Sequence, residues 1–142
     1  MRRLRVQGGV WLALCALLAS PVAQAVNHCN TKDFTDLTAD SSVYVTFTAF
    51  AYSPRCSRVT PGTTITFSGD FFSHPLQGGQ IIDGTAVPDP GSPIPSVSVG
   101  NTSASFVVPN GVYGFYCAVH GPAGESGVFD AGGEIVFSDS FD

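Results

Sequence analysis

The sequence has little basic charge and few residues that could carry chemistry. Its 142 residues include 6 lysines and arginines against 11 aspartates and glutamates, with only 3 histidines, 4 cysteines and 1 methionine. So acidic a chain is a poor binder of nucleic acid. It suits a cationic protein partner, because opposite charges raise the encounter rate. Solubility alone is an equally good reason for the acidity.

The N-terminus predicts an export signal over residues 1–25. A positively charged start leads into the apolar run 10–19, which is too short to span a bilayer. The small residues of Ala-Gln-Ala at 23–25 are typical of a cleavage site. We therefore expect a periplasmic or secreted protein whose mature chain has no membrane-inserted segment.

The mature chain, residues 26–142, is predicted to be one domain and a monomer. It retains three basic residues against 11 acidic ones, a net charge of −8, and has no methionine. Three cysteines remain, an odd number for an oxidising compartment. The simplest arrangement pairs Cys29 with Cys56 and leaves Cys117 as a metal-bound thiolate. A scrambled or intermolecular disulfide through Cys117 is the alternative.

Short segments rich in β-branched and aromatic residues predict an all-β chain. Strands are expected at 43–50, 63–67, 103–108, 112–118 and 134–137. Residues 31–40 could hold a short helical turn at most. Four prolines predict a loop over 87–95, in an irregular region that starts at Gly78-Gly79, and residues 121–133 are interpreted as loop. Strands at this spacing favour an antiparallel β-sandwich.

One cysteine and two histidines stand out as candidate metal ligands. Cys117 and His120 are separated by two residues where the predicted strand 112–118 leads into a loop, and His74 follows the predicted strand that ends at Phe67. Thiolate and imidazole together suit copper in both oxidation states. Taken singly, His74 could be a turn residue, Cys117 an inert buried thiol and His120 a loop residue. Taken together, they predict a copper site.

The motif Gly-x-Tyr-x-Phe-Tyr-Cys-x-x-His at 111–120 resembles that of the cupredoxins, most closely the plastocyanin-like proteins exported by bacteria. The likeness extends from Val43 to Phe137. It implies a Greek-key β-sandwich and single-electron transfer through one type 1, or blue, copper ion. Carried over to this chain, it implies that His74, Cys117 and His120 are the copper ligands.

The chain departs from this family at two positions. The family's axial methionine is absent, and counting from His120 puts Glu125 there, whereas counting back from the last predicted strand points to Ala131. A glutamate oxygen would favour Cu(II) and lower the reduction potential; with Ala131, the site would be three-coordinate or take water or a backbone oxygen. Pro75 stands where plastocyanin typically has an asparagine that braces the loop.

Three functions remain open from the sequence. The leading one is an electron carrier between redox proteins and not an enzyme, since three histidines are too few for the further copper centres of an oxidase or nitrite reductase. The second is a copper carrier or buffer without a redox partner. The third is a metal-free adhesive or structural sandwich. Zinc is less suited than copper, because structural zinc takes four firm ligands.

A separate hypothesis concerns His28. If cleavage follows Ala25, the mature chain starts Val26-Asn27-His28. An amine, two amide nitrogens and an imidazole in that order can form a square-planar Cu(II) or Ni(II) site. An ordinary exposed histidine is the simpler interpretation.

Overall fold

The computed structural model describes residues 26–48 and 50–133, which form ten strands and two short 3₁₀ helices. The strands are β1 (Thr35–Asp36), β2 (Ser42–Thr48), β3 (Ala51–Ser53), β4 (Cys56–Arg58), β5 (Thr64–Ser68), β6 (Leu76–Ile82), β7 (Thr85–Pro88), β8 (Ser103–Val107), β9 (Gly111–Cys117) and β10 (Ser126–Ala131). The 3₁₀ helices are Thr31–Asp33 and Gly121–Ala123. The predicted export signal, the strand at 134–137 and the C-terminal tail lie outside the described residues. None of the helices among the described residues could reach across a membrane.

Two sheets make a β-sandwich, as predicted. The six-stranded sheet has the order β1-β4-β10-β9-β6-β7, and the four-stranded sheet has the order β3-β2-β5-β8. Their inner faces enclose a core rich in phenylalanine, in which Phe67, Phe115 and Phe129 are completely buried. Phe115 and Phe129 stack at 4.8 Å, and Phe67 lies edge-on to Phe115 at 5.1 Å. Burial of each such ring contributes about 1.5–3 kcal/mol.

The expectation of purely antiparallel pairing was wrong. Strand β2 runs parallel to β5, and β4 runs parallel to both β1 and β10. The reason is that the chain leaves the four-stranded sheet after β3, contributes β4 to the other sheet and returns as β5. Such a crossover brings β5 beside β2 in the same direction.

Gly78-Gly79 and the first two residues of the predicted loop 87–95 lie in strands, whereas residues 89–95 are not in a strand. Gly78 and Gly79 lie inside β6, where a Cβ at Gly78 would collide with Ser92 and one at Gly79 with the backbone of Val87. Both positions are glycine because the chain that follows packs directly on the strand and leaves no room for a Cβ. Glycine at these positions does not prevent the strand from pairing. The predicted loop over 87–95 begins inside β7, whose last residue, Pro88, is on a strand at the edge of the sheet.

Strand β10 is the other correction, since it falls within the predicted loop 121–133. It lies between β4 and β9, and its burial is nearly continuous from Ser126 to Ala131. A strand covered on both faces shows no polar–apolar alternation, which is why its sequence carries no period-two signal.

The predicted disulfide is confirmed. Cys29 and Cys56 are bonded with a Cα–Cα distance of 5.8 Å, and Cys117 is free and buried. The bond attaches the segment before β1 to β4. Cys117 is therefore available as a thiolate ligand.

Candidate metal centre

The loop between β5 and β6 positions His74. Both carboxylate oxygens of Asp70 accept hydrogen bonds within this loop, from the backbone N–H of Phe72 at 3.0 Å and the hydroxyl of Ser73 at 2.6 Å. The Ser73 bond is the largest reason that the pKa of Asp70 lies below its usual range. The N–H of His74 donates to the Asp70 carbonyl at 3.0 Å. Hydrogen bonds to Asp70 within the loop thus hold the backbone that carries the His74 imidazole.

The segment from Cys117 to Glu125 forms the second part of the site. Cys117 is the last residue of β9, and its N–H donates to the Glu125 carbonyl at 2.9 Å. Between them, His120 leads into the 3₁₀ helix Gly121–Ala123, which ends at Gly124 with φ +118°. The left-handed Gly124 turns the chain back, and the N–H of Glu125 reaches the His120 carbonyl at 3.3 Å.

A direct backbone bond joins the two loops. The N–H of Ala118 donates to the carbonyl of Pro75 at 2.8 Å, and Leu76 pairs with Cys117 at the start of β6. Proline has no N–H to give, but its carbonyl accepts. The departure at Pro75 therefore leaves the two loops hydrogen-bonded to each other.

Four potential ligand atoms converge between these loops. One from each of His74, Cys117, His120 and Glu125 lies within 4.8 Å of the others. The Glu125 Oε2 atom is 2.8 Å from His74 Nδ1 and 3.2 Å from His120 Nδ1. The Cys117 Sγ atom is 3.5 Å from His120 Nδ1. Both imidazoles thus turn Nδ1 toward the carboxylate, and the Nδ1 atom of His120 also lies beside the thiol.

Burial makes this cluster a poor place for unpaired charge. Cys117 and Glu125 are fully buried, whereas the side chains of His74 and His120 are 16% and 26% exposed. The second oxygen of Glu125, Oε1, is buried without a hydrogen-bond partner. Burial also raises the pKa of the Cys117 thiol, with smaller opposing effects from the backbone N–H groups of His120 and Val119. A cation held between these groups would balance the carboxylate and favour the thiolate.

The structure brings together all three residues predicted from the sequence, and it distinguishes Glu125 from Ala131. Ala131 pairs with Gly111 at the start of β9, whereas Cys117 is at its far end. Glu125 is beside both histidines. Counting forward from His120 therefore points to the residue that lies among the other donors, while counting back from the last predicted strand did not allow for β10.

His28 lies apart from this cluster. It sits in a left-handed turn, its Nδ1 is 2.8 Å from the hydroxyl of Ser126, and the Arg55 guanidinium donates to its carbonyl at 3.2 Å. The side chain of Asn27, the residue before it, is buried. A square-planar site at His28 would have to break the contact with Ser126, and it stays a prediction.

Aromatic side chains from two segments surround the histidines. Phe47 packs against His74 at 5.6 Å and against Phe71 at 5.1 Å, and Phe71 is fully buried. Its neighbour Phe72 is exposed at the surface. Phe50 lies over both imidazoles, and no motif in the sequence pointed to it.

Comparisons with known proteins are informative about the fold. No family model and no curated protein matches the chain. Two rusticyanin structures, one from Thiobacillus ferrooxidans, align at 16% identity over 70% and 72% of this chain and 82% and 85% of theirs, with TM-scores of 0.48 and 0.50. Pseudoazurin from Methylobacterium extorquens AM1 aligns at 25% identity over 66% of this chain and 76% of its own, with a TM-score of 0.44. At such identities the likeness concerns the fold alone.

Proposed function

We propose that this chain, which has the cupredoxin fold, binds one copper ion and carries single electrons between redox partners. In this proposal His74, Cys117 and His120 are the principal ligands, and Glu125 replaces the axial methionine of the family. The observation that carries it is the convergence of the four donor atoms within 4.8 Å at one end of the sandwich. Copper would supply the chemistry by cycling between Cu(II) and Cu(I).

The donor set fits copper. One thiolate and two imidazoles are the equatorial ligands of blue-copper sites. The buried and unpartnered Oε1 of Glu125 fits a cation nearby, because an uncompensated buried carboxylate is expensive. A carboxylate oxygen in the axial position favours Cu(II), so we expect a lower reduction potential than that of a methionine-ligated site.

The protein would contribute rigidity. Both loops that carry the donors are closed by backbone hydrogen bonds, and the Ala118–Pro75 bond links them. Donors held in this way move little when the charge at their centre changes, which favours rapid electron transfer. The partly exposed His120, at 26%, offers a short route for the electron to the surface.

The cellular location and the partner belong to the same proposal. The predicted export signal and the Cys29–Cys56 disulfide are both consistent with an oxidising compartment such as the periplasm. The predicted mature charge of −8 favours a cationic redox partner. No enzymatic activity is part of the proposal.

A second candidate function is a metal carrier or buffer without redox activity. Glu125 supplies a fourth firm donor, and a thiolate, two imidazoles and a carboxylate also satisfy tetrahedral zinc. Such a site would hold one metal in one oxidation state.

The deciding experiment is a Cu(II) titration of the mature protein followed by visible absorption and EPR. We expect one equivalent to give an intense thiolate-to-copper band that Cys117→Ser abolishes. Glu125→Met should keep the band and raise the reduction potential. Glu125→Gln keeps the shape of the side chain but removes its charge, so it shows how much of the change in potential is due to charge and not to size. A colourless complex, or one that zinc displaces completely and that cannot be reduced reversibly, would refute the electron carrier and favour the buffer.

A further inference from the structure

Phe50 combines two unfavourable features next to the candidate metal centre. It lies just before β3, its φ is +139°, and its side chain is 60% exposed. Bulky residues rarely adopt positive φ. An aromatic ring that stays largely exposed to water contributes little hydrophobic stabilisation to the fold. Strained residues persist where the surrounding structure holds them in place, and they cluster at functional sites.

The contacts of Phe50 explain what this conformation achieves. Its ring is edge-on to His120, with centroids 4.8 Å apart and an interplanar angle of 83°. It is also edge-on to His74 at 6.5 Å and 68°. The two imidazoles are themselves 5.0 Å apart. Edge-to-face contact at these distances is favourable for aromatic pairs. A single ring therefore contacts both histidines of the site.

We propose that Phe50 is a positioning residue, an aromatic cap that holds His120 and keeps water and small anions away from the metal between the two histidines. The part of the proposal that concerns a metal rests on the proposed copper function. The contacts of Phe50 with the two histidines do not, because they are present without a metal. His120 is the more exposed of the two imidazoles, so removal of the ring opens the site mainly on its side. A strained, rigid cap also explains why a ring is kept at the surface there.

The metal-bound test uses azide as a small anionic probe. Phe50→Ala is loaded with Cu(II), titrated with azide and followed by the azide-to-copper absorption band. We expect azide affinity to rise by about tenfold or more over the wild type. Phe50→Tyr, which keeps the ring, should behave as the wild type. Phe72→Ala is the matched control: Phe72 is 77% exposed and two residues before His74, but its ring contacts neither imidazole in the described part of the chain.

A metal-free test uses diethylpyrocarbonate, which modifies accessible imidazoles. In the apoprotein, Phe50→Ala should raise the modification rate of His120 several-fold, as measured by peptide mass spectrometry. The exposed His28 serves as the internal reference and should react at an unchanged rate. Phe72→Ala should leave the rate of His120 unchanged.

The strain is tested with a second variant at the same position. Phe50→Gly and Phe50→Ala both remove the ring, but only glycine accepts the positive φ without a steric penalty. We expect the urea midpoint of the glycine variant to lie above that of the alanine variant. A lower midpoint would overturn the strained conformation on which the cap depends.

The outcomes separate the cap from the copper function. Loss of His120 protection in Phe50→Ala, without a blue copper band in the wild type, would support the cap and refute the copper assignment. The cap would be refuted, and the copper function retained, if the wild type showed the blue band but Phe50→Ala changed neither the azide affinity nor the reactivity of His120. An equal change in Phe72→Ala would also refute the cap, because it would make the effect general to the surface.

Discussion

Replacement of Asn27 by alanine should destabilise the protein by about 3 kcal/mol. Asn27 is 1% exposed, and its side-chain amide contacts four backbone groups. Its Nδ2 lies 3.0, 3.1 and 3.0 Å from the carbonyl oxygens of Gly79, Phe115 and Gly127, which share its two hydrogens, and its Oδ1 accepts from the N–H of Ile81 at 2.8 Å. Its two amide hydrogens and the accepting oxygen amount to three hydrogen bonds, and at a net value of about 1 kcal/mol for each the sum is about 3 kcal/mol.

These bonds matter for the site because they join its three supporting strands. Gly79 lies in β6, which follows His74; Phe115 lies in β9, which leads to Cys117; and Gly127 lies in β10, which follows Glu125. Loss of the Asn27 amide should therefore weaken copper binding as well as stability. The Asn27→Ala variant and the wild type can both be titrated with Cu(II) at a urea concentration at which both remain folded.

The assay is urea unfolding followed by far-ultraviolet circular dichroism, with Asn30→Ala as the control. Asn30 is exposed, and its side chain bonds only locally, to Asp33 at 2.9 Å. Its loss should cost about 1 kcal/mol or less. A free-energy change for Asn27→Ala no larger than that for Asn30→Ala would refute the argument that buried bonds between strands dominate here.

Two further predictions concern stability. The double variant Cys29→Ser, Cys56→Ser releases a crosslink over 27 residues and should lower the free energy of unfolding by about 3.5 kcal/mol in the chain-entropy model, as measured by urea unfolding; no loss would contradict that model here. The carboxylate of Asp36 accepts bonds from the hydroxyl and N–H of Thr38 at 2.7 and 3.0 Å, which lower its pKa below 3.8. Because the folded pKa is lowered, this contribution is complete above the unfolded pKa and disappears as the pH falls through the folded value. Carboxyl NMR titration should show that pKa below 3.8, and Thr38→Val should raise it; an unchanged pKa in that variant would remove the hydroxyl as the cause.

The parts of the fold that the sequence predicted are those with local signals. Strand β5 alternates buried Ile65 and Phe67 with more exposed threonines, so its period of two was visible. Strand β10 has no such alternation, because Phe129 on one face packs in the main core while Val128 on the other face packs against the Cys29–Cys56 disulfide. The glycines of β6 resembled a turn because the packing that requires them comes from distant residues.

The candidate site divides in the same way. The spacing of Cys117 and His120, with His74 after a strand, predicted which three donors meet once it was combined with the resemblance of residues 111–120 to the cupredoxin motif. The fourth was ambiguous, since the position of Glu125 depends on the 3₁₀ helix and on the left-handed Gly124 that follow His120. No pattern indicated Phe50, because its role comes from where the β2–β3 connection lies in space.

By itself, the sequence determined the all-β class and a thiolate with two imidazoles as the candidate metal donors, and it favoured the Cys29–Cys56 pairing that the structure then showed. These follow from residue chemistry and short spacings. Only the tertiary structure decided that Glu125 and not Ala131 joins them, that three strand pairs are parallel, and that Phe50 contacts both histidines. The physical reason is that such contacts join residues far apart along the chain, and their distances are fixed by how the two sheets pack and not by any local pattern.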